Sequence, residues 1–159
     1  MRGSCLAWIT NSIIAIALLT SCQTKQLFEQ NTIYPDHHWA SKQVNEYQFT
    51  IDDSLARYKV FFVIRHHNAY HYKNIWLQLN TTAPNDSVSK QALNLNLADD
   101  EKGWLGTGMD DIYDQRIPIY NEPIHLKKGV YKFAMQHTMR EDPLDNILST
   151  GIRVEKVKP

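Results

Sequence analysis

The clearest structural pattern in the chain is Tyr131-Lys132-Phe133-Ala134-Met135-Gln136-His137-Thr138-Met139. Large apolar, aromatic or imidazole side chains occupy every second position of this stretch, and polar or small residues stand between them. A period of two predicts a β-strand with one buried face and one solvent-exposed face. The stretch therefore favours a fold built from β-sheets.

Shorter segments on both sides of this stretch repeat the same pattern. They are Tyr47–Ile51, Ile75–Leu79, Leu93–Leu97 and a last strand around Ile152 and Val154. Tyr58–Arg65 is apolar on both faces in its middle, which predicts a central strand. Turn residues separate these segments, and no convincing helix interrupts them. About seven to nine short strands predict an all-β domain, an antiparallel sandwich of immunoglobulin-like or jelly-roll topology.

The N-terminal residues have the order of a bacterial lipoprotein signal. Arg2 precedes an apolar run from Trp8 to Leu19, which is too short and too polar to span a membrane. The run ends in Leu19-Thr20-Ser21-Cys22, which matches a lipobox, so we expect cleavage before Cys22 and acylation of its thiol. The predicted organisation is a signal peptide over 1–21, the lipidated cysteine and a polar tether over 22–45, and a β-sandwich domain over 46–159.

Charge and cysteine content limit the classes of function. The chain has 17 basic and 17 acidic residues, and loss of Arg2 with the signal leaves 16 against 17. This balance gives no electrostatic reason to expect nucleic acid as a partner. Cys5 lies in the signal and Cys22 is the lipidation site, so no cysteine remains for a disulfide. Gln23, and not an aspartate that would favour the inner membrane, follows Cys22, so we expect the outer membrane.

The segment Gly103–Pro118 (Gly-Trp-Leu-Gly-Thr-Gly-Met-Asp-Asp-Ile-Tyr-Asp-Gln-Arg-Ile-Pro) concentrates residues that shape loops. Glycine reaches backbone angles that other residues avoid, and aspartate accepts hydrogen bonds from nearby amides. The order of the glycines lacks the strand and helix of a nucleotide site, and the aspartates lack the alternation of a calcium loop. The segment therefore predicts a rigid, specific loop between strands, with Pro118 at a sheet edge.

This segment resembles the signature of the gliding motility lipoprotein GldH family of Bacteroidota. Two further runs support the resemblance, Tyr72–Leu77 (Tyr-Lys-Asn-Ile-Trp-Leu) and Met139–Leu144 (Met-Arg-Glu-Asp-Pro-Leu). The resemblance implies a structural or assembly role in gliding and in the linked type IX secretion machinery, with envelope proteins of that machinery as partners. It implies no enzymatic activity, so no catalytic residue and no cofactor are carried over.

The candidate partner-binding residues come from the two loop segments of this resemblance. They are Trp104, Asp110, Asp111, Asp114, Arg116, Arg140, Glu141 and Asp142. Arg116 and Arg140 are the expected counter-ions of the acidic residues. We expect no metal site, because the adjacent His66 and His67 point to opposite faces of a strand and no metalloprotease motif is present.

Two alternative functions use some of the same residues. A carbohydrate-binding surface lipoprotein of a nutrient-uptake system would need exposed aromatic side chains, for which Trp76 and Trp104 are the candidates. An envelope glycosidase would need two carboxylates roughly 5–10 Å apart, and nothing in the sequence assigns an acid and a base. We expect Trp39 in the core and Trp104 partly buried, and leave Trp76 open.

Overall fold

The structure is a computed structural model that describes residues 25–157, so the predicted signal peptide and Cys22 lie outside the described residues. Over that range every regular element is a β-strand. Residues 25–157 contain no helix long and apolar enough to cross a membrane. The prediction of an all-β fold is therefore confirmed.

The strands are, in chain order, β1 (Lys25–Ile33), β2 (His38–Trp39), β3 (Asn45–Ile51), β4 (Arg57–His67), β5 (Asn74–Thr82), β6 (Val88–Asn96), β7 (Ala98–Asp99), β8 (Gly103–Trp104), β9 (Thr107–Met109), β10 (Ile112–Pro118), β11 (Ile124–His125), β12 (Gly129–His137), β13 (Leu144–Asp145) and β14 (Ile147–Val157). Five of these are two-residue strands. The other nine match the predicted number of seven to nine, although β1 and β9 were not among the predicted strands.

The long strands form two antiparallel sheets. Sheet I has the order β1-β14-β4-β10-β9, with β11 also paired to β4, and sheet II has the order β3-β12-β5-β6. Eight strands have seven or more residues, and in chain order they are β1, β3, β4, β5, β6, β10, β12 and β14. When these are numbered 1 to 8, the strand order is 1-8-3-6 in sheet I and 2-7-4-5 in sheet II. This is the jelly-roll arrangement, in which two Greek keys supply two four-stranded sheets. The strand order thus decides between the two topologies that the sequence left open.

The core lies between the inward faces of the two sheets. Sheet II shows the expected alternation, since β3 is buried at every second residue and β12 buries Tyr131, Phe133, Met135 and His137. Phe49 of β3 packs against Phe133 with ring centroids 5.2 Å apart. Trp39 has no exposed surface and donates its indole N–H to the carbonyl of Gln43 at 3.0 Å, so the prediction that Trp39 is core is confirmed.

The predicted tether over residues 22–45 is wrong for the described part of that range. Residues 25–33 form β1, which pairs with β14 along its length at the edge of sheet I. The register shifts between Gln26 and Phe28, and such a bulge breaks the alternation of side chains. Beyond the bulge, Gln30 and Thr32 stand opposite the buried Ile152 and Thr150, so polar residues occupy inward positions and the sequence shows no period of two there.

The Gly103–Pro118 segment is also more regular than predicted. It contains β8, β9 and β10, and a two-residue turn of Asp110 and Asp111 joins β9 to β10. Asp110 takes a φ of 54°, in the left-handed region that aspartate tolerates better than most residues. β9 covers only the start of β10, so Pro118 lies on an open edge of sheet I as predicted.

The turns gather at two opposite ends of the sandwich. The end at which β1 begins, with the turns 52–56, 83–87 and 119–128, is called here the proximal end. The opposite end, with the segments 34–44, 68–73, 97–111 and 138–147, is called the distal end. The register fixes this assignment, because Lys25 pairs with Lys156 at one end of β14 and Ile33 pairs with Ser149 near the other.

Candidate interaction surface

The distal end is organised around the connection between β4 and β5, residues 68–73. Asn68 binds the β9–β10 turn twice, since its backbone N–H donates to the carbonyl of Asp111 at 2.7 Å and its amide group donates to Asp111 Oδ1 at 2.8 Å. One face of the connection is therefore joined to the Gly103–Pro118 segment.

The same connection also holds the Met139–Leu144 segment. His71 Nδ1 lies 2.9 Å from Glu141 Oε2. Hydrogen bonding to Glu141 and the charge of that carboxylate raise the pKa of His71 above its usual value. Burial acts to raise the pKa of Glu141, but hydrogen bonds from His71, Tyr72 and the backbone of Asp145 together lower it. Both shifts favour the ion pair over the neutral groups.

Further contacts fix the connection in place. The amide group of Asn146 donates to the carbonyl of Ala69 at 3.1 Å. The carbonyl of Lys73 accepts from Leu97 and Ala98, and the ammonium of Lys73 forms an ion pair with Asp100. Parts of the three sequence runs singled out above therefore meet at one end of the molecule, on either side of a single connection.

An aromatic cluster packs beneath the loops of the distal end. Its central residue is His66, which the sequence analysis did not identify. His66 is fully buried, and its ring centroid lies 4.7 Å from that of Trp104 and 5.9 Å from that of Tyr113. Tyr70 packs against His66 at 5.6 Å. Trp104 is half-buried, as predicted. The position of His66 at the end of an inward-facing row of β4 was the signal that could have identified it.

Asp114 and Arg116 lie elsewhere, on the outer face of sheet I. Asp114 faces Arg65 across the β10–β4 pair, with Oδ1 3.2 Å from Nε, and Arg116 Nη2 lies 3.9 Å from Glu29 Oε2. A shallow depression of ≈ 620 Å³ on this face is lined by Glu29, Asn31, Val63, Arg65, Gly106, Thr107, Asp114, Gln115, Arg116 and Ser149. The eight candidate residues therefore do not form one surface.

The predicted counter-ions are not the partners that the structure gives. Glu141 pairs with His71, Asp114 pairs with Arg65, and Asp142 accepts from the backbone and hydroxyl of Ser41 at 2.7 and 2.6 Å. Arg140 is exposed at the distal end, and within residues 25–157 it forms no ion pair. Local sequence offered no means of choosing these partners, because each pair joins residues far apart along the chain.

The two tryptophans considered for sugar binding lie on different surfaces. Trp76 is 43% exposed on the outer face of sheet II, where its backbone N–H donates to the sulfur of Met139 at 3.2 Å. Trp104 instead packs against His66, on the inward side of sheet I. The pair therefore forms no common aromatic platform.

The sequence is similar to a family of lipoproteins. The family described as GldH lipoprotein matches residues 26–154. The gliding motility lipoprotein GldH homolog of Christiangramia forsetii is 27% identical over 152 residues, covering 91% of this chain and 92% of the relative. The gliding motility lipoprotein GldH of Flavobacterium johnsoniae is 25% identical over 151 residues, covering 91% and 93%. Among solved structures, dimeric latent PorU from Porphyromonas gingivalis matches with a TM-score of 0.34 and 9% identity, covering 87% of this chain and 14% of that chain, which carries no inference.

Proposed function

The chain belongs to the GldH lipoprotein family, and from this membership we propose that it is a structural component of the gliding machinery and of the linked type IX secretion apparatus. As a member of a lipoprotein family it is a lipid-anchored protein of the cell envelope. Its role in this proposal is to bind and assemble envelope proteins of the machinery through the distal end of the sandwich.

One observation carries the proposal. The three sequence runs that resemble the family converge on residues 68–73, with Asp111 and Glu141 bound to opposite parts of that connection. A rigid scaffold that presents several fixed loops at one end is the usual way in which a β-sandwich forms a binding surface. Arg140, Asp110 and Ala69 are exposed there and are available to a partner.

Attachment to the membrane is assigned to Cys22. Acyl chains on this residue would each contribute about 0.8 kcal/mol per buried methylene, and two or more chains give stable anchoring. We propose the outer membrane as the location, because Gln23 follows the cysteine where an aspartate would favour the inner membrane.

The proposed role is non-enzymatic. The acidic residues that an envelope glycosidase would use are engaged in contacts that shape the protein: Asp111 with Asn68, Asp114 with Arg65, and Glu141 with His71. Burial opposes the ionised form of Glu141, but its hydrogen bonds outweigh burial and lower its pKa. The general acid of a glycosidase needs a raised pKa, so that it still carries its proton at neutral pH.

A charge reversal at Arg140 tests the distal surface without touching the fold. Arg140 is exposed and forms no ion pair within residues 25–157, so Arg140→Glu should leave the free energy of unfolding within about 0.5 kcal/mol of the parent value. If Arg140 pairs with an acidic group of a partner, the variant should slow gliding and reduce recovery of crosslinked envelope proteins by about tenfold or more, since like charges across an interface cost several kcal/mol.

Lys132→Glu is the matched control, because Lys132 is an exposed cation on the outer face of sheet II. It should leave both gliding and crosslinking at the parent level. Normal gliding and crosslinking with Arg140→Glu, in protein that is folded and present at parental amounts, would remove Arg140 from the partner surface.

A further inference from the structure

The turn between β3 and β4 exposes a leucine at the proximal end. Leu55 is 89% exposed, the largest exposed fraction of any large apolar side chain in the described part of the chain. The turn that carries it is held firmly. Asp53 Oδ1 accepts from the backbone N–H of Leu55 at 3.0 Å, and the carbonyl of Asp53 accepts from the hydroxyl of Tyr58 at 2.6 Å.

This turn lies beside the start of the described chain. Lys25, the first residue of β1, pairs with Lys156 of β14. Lys156 in turn forms an ion pair with Asp53, with Nζ 2.6 Å from Oδ2. Cys22 precedes Lys25 by three residues, which span at most about 10 Å even when fully extended. A lipid attached to Cys22 therefore cannot move far from the proximal end.

The surface around Leu55 suits contact with a bilayer. A shallow depression of ≈ 390 Å³ lies next to it, lined by Asp53, Leu55, Ala56, Arg57, His125, Lys156 and Val157. The charged side chains that line this depression carry both signs, Asp53 against Arg57 and Lys156, and Asp53 is paired with Lys156. This balance favours attachment by an apolar side chain over attraction to anionic lipid headgroups.

We propose that the 52–56 turn docks on the membrane that holds the acyl chains and inserts Leu55 into its interfacial region. The inference rests on the lipidation of Cys22 in the proposed function and adds a second, protein-borne contact with the same lipid surface. A second attachment point restricts the rotation of the sandwich about its acyl anchor. The strands then rise from the bilayer, and β4 with its 11 residues places the distal end about 36 Å above the proximal one.

The test measures how deeply each end of the full lipoprotein lies in a membrane. Ser54→Cys, next to Leu55, and Ala69→Cys, at the distal end, each introduce a thiol at an exposed position. Cys5 and Cys22 are the other two cysteines of the chain, and under the proposed function Cys5 leaves with the signal and the thiol of Cys22 is acylated. Mass spectrometry of the purified protein checks both points before labelling. An environment-sensitive fluorophore is attached to each thiol, and the purified lipoprotein is reconstituted into phosphatidylcholine vesicles.

The expected result is a blue-shifted emission at position 54 that lipid-borne quenchers reduce, and a solvent-like emission at position 69 that they do not. Adding Leu55→Ser to the Ser54→Cys protein should reverse the blue shift, while anionic lipid should change it little. Solvent-like emission at position 54 in vesicle-bound, acylated protein would overturn the inference, and so would quenching at both positions. A protein that lacks acyl chains on Cys22 would instead overturn the proposed anchor.

Discussion

His66 is a buried histidine whose ring has only one hydrogen bond. Its Nδ1 lies 2.9 Å from the carbonyl of His67, and its Nε2 has no partner among the described residues. Burial lowers the pKa of His66, and burial likewise lowers the pKa of His137, which contacts the carbonyl of Trp39. Protonation of either ring would place a positive charge in an aromatic or apolar surrounding.

These two histidines predict loss of stability in mild acid. In the unfolded chain each imidazole binds a proton as the pH falls below about 6.5, while the folded protein resists it, so the free energy of unfolding decreases on acidification. Each group can contribute at most about 1.4 kcal/mol per pH unit. His71 has the opposite effect, because its ion pair with Glu141 raises its pKa and so stabilises the folded protein below pH 6.5. Both side chains are solvent-accessible, so this effect is small.

His66→Phe isolates the contribution of the buried ring. The variant keeps an aromatic side chain beside Trp104, and the carbonyl of His67 keeps the hydrogen bond from the backbone of Tyr70 at 3.1 Å. Melting temperatures measured at pH 7.5 and pH 5 should differ less in this variant than in the parent. His125→Phe, an exchange of an exposed histidine, is the control. An unchanged pH difference in His66→Phe would show that His66 does not resist protonation.

At the scale of single residues, sequence reasoning succeeded where the neighbours along the chain carry the information. Trp39 and Trp104 were placed correctly from such local context. The partners of Asp111 and Glu141 were missed, because Asn68 and His71 lie 43 and 70 residues away along the chain and only the fold brings them together. Charge alone predicted arginines as the partners of these two carboxylates. In the fold, the partners are an asparagine and a histidine.

The connection of residues 68–73 is the element on which the distal end depends. It lies between the Gly103–Pro118 and Met139–Leu144 segments, which make no hydrogen bond to each other among the described residues. It binds the first segment through Asn68 and the second through His71. Removing one contact should therefore loosen one segment and leave the other in place.

Hydrogen exchange on matched variants tests this independence. Glu141→Ala removes the pair with His71 and should increase exchange in peptides covering residues 139–145 by about fivefold, the effect of losing about 1 kcal/mol. Peptides covering residues 107–113 should be unaffected. Asn68→Ala should give the reverse pattern, weaker in size because the backbone hydrogen bond to Asp111 remains. Faster exchange of both segments in both variants would mean that the distal end opens as one unit.

At the scale of strands, the sequence predicted those whose alternation is uninterrupted. β3, β5 and β12 were identified from their period of two, and β4 was placed centrally from its apolar middle. β1 was missed, because a bulge breaks its pattern and two of its inward positions are the polar residues Gln30 and Thr32. Four of the five two-residue strands were missed as well, since so short a segment has no measurable period.

For the whole molecule, the strand order could not be predicted, because pairings such as β1 with β14 join residues more than a hundred positions apart. That pairing nevertheless determines the functional layout. It places the start of the domain at the proximal end, away from the loops that resemble the family signature. Under the proposed function, an anchor on Cys22 and the proposed partner surface would therefore lie at opposite ends of one jelly-roll, an arrangement that suits a protein holding other proteins away from the membrane.

Site-specific photocrosslinking in cells is the measurement that tests this layout most directly. A photoreactive residue replaces Ala69 or Arg140 at the distal end, or Lys132 on the outer face of sheet II, and adducts are identified by mass spectrometry. The distal positions should give discrete adducts with envelope proteins of the gliding or secretion machinery, and Lys132 should give none. Adducts confined to Lys132, or distal positions without adducts in cells that glide, would contradict the assignment of the distal end as the partner-binding surface.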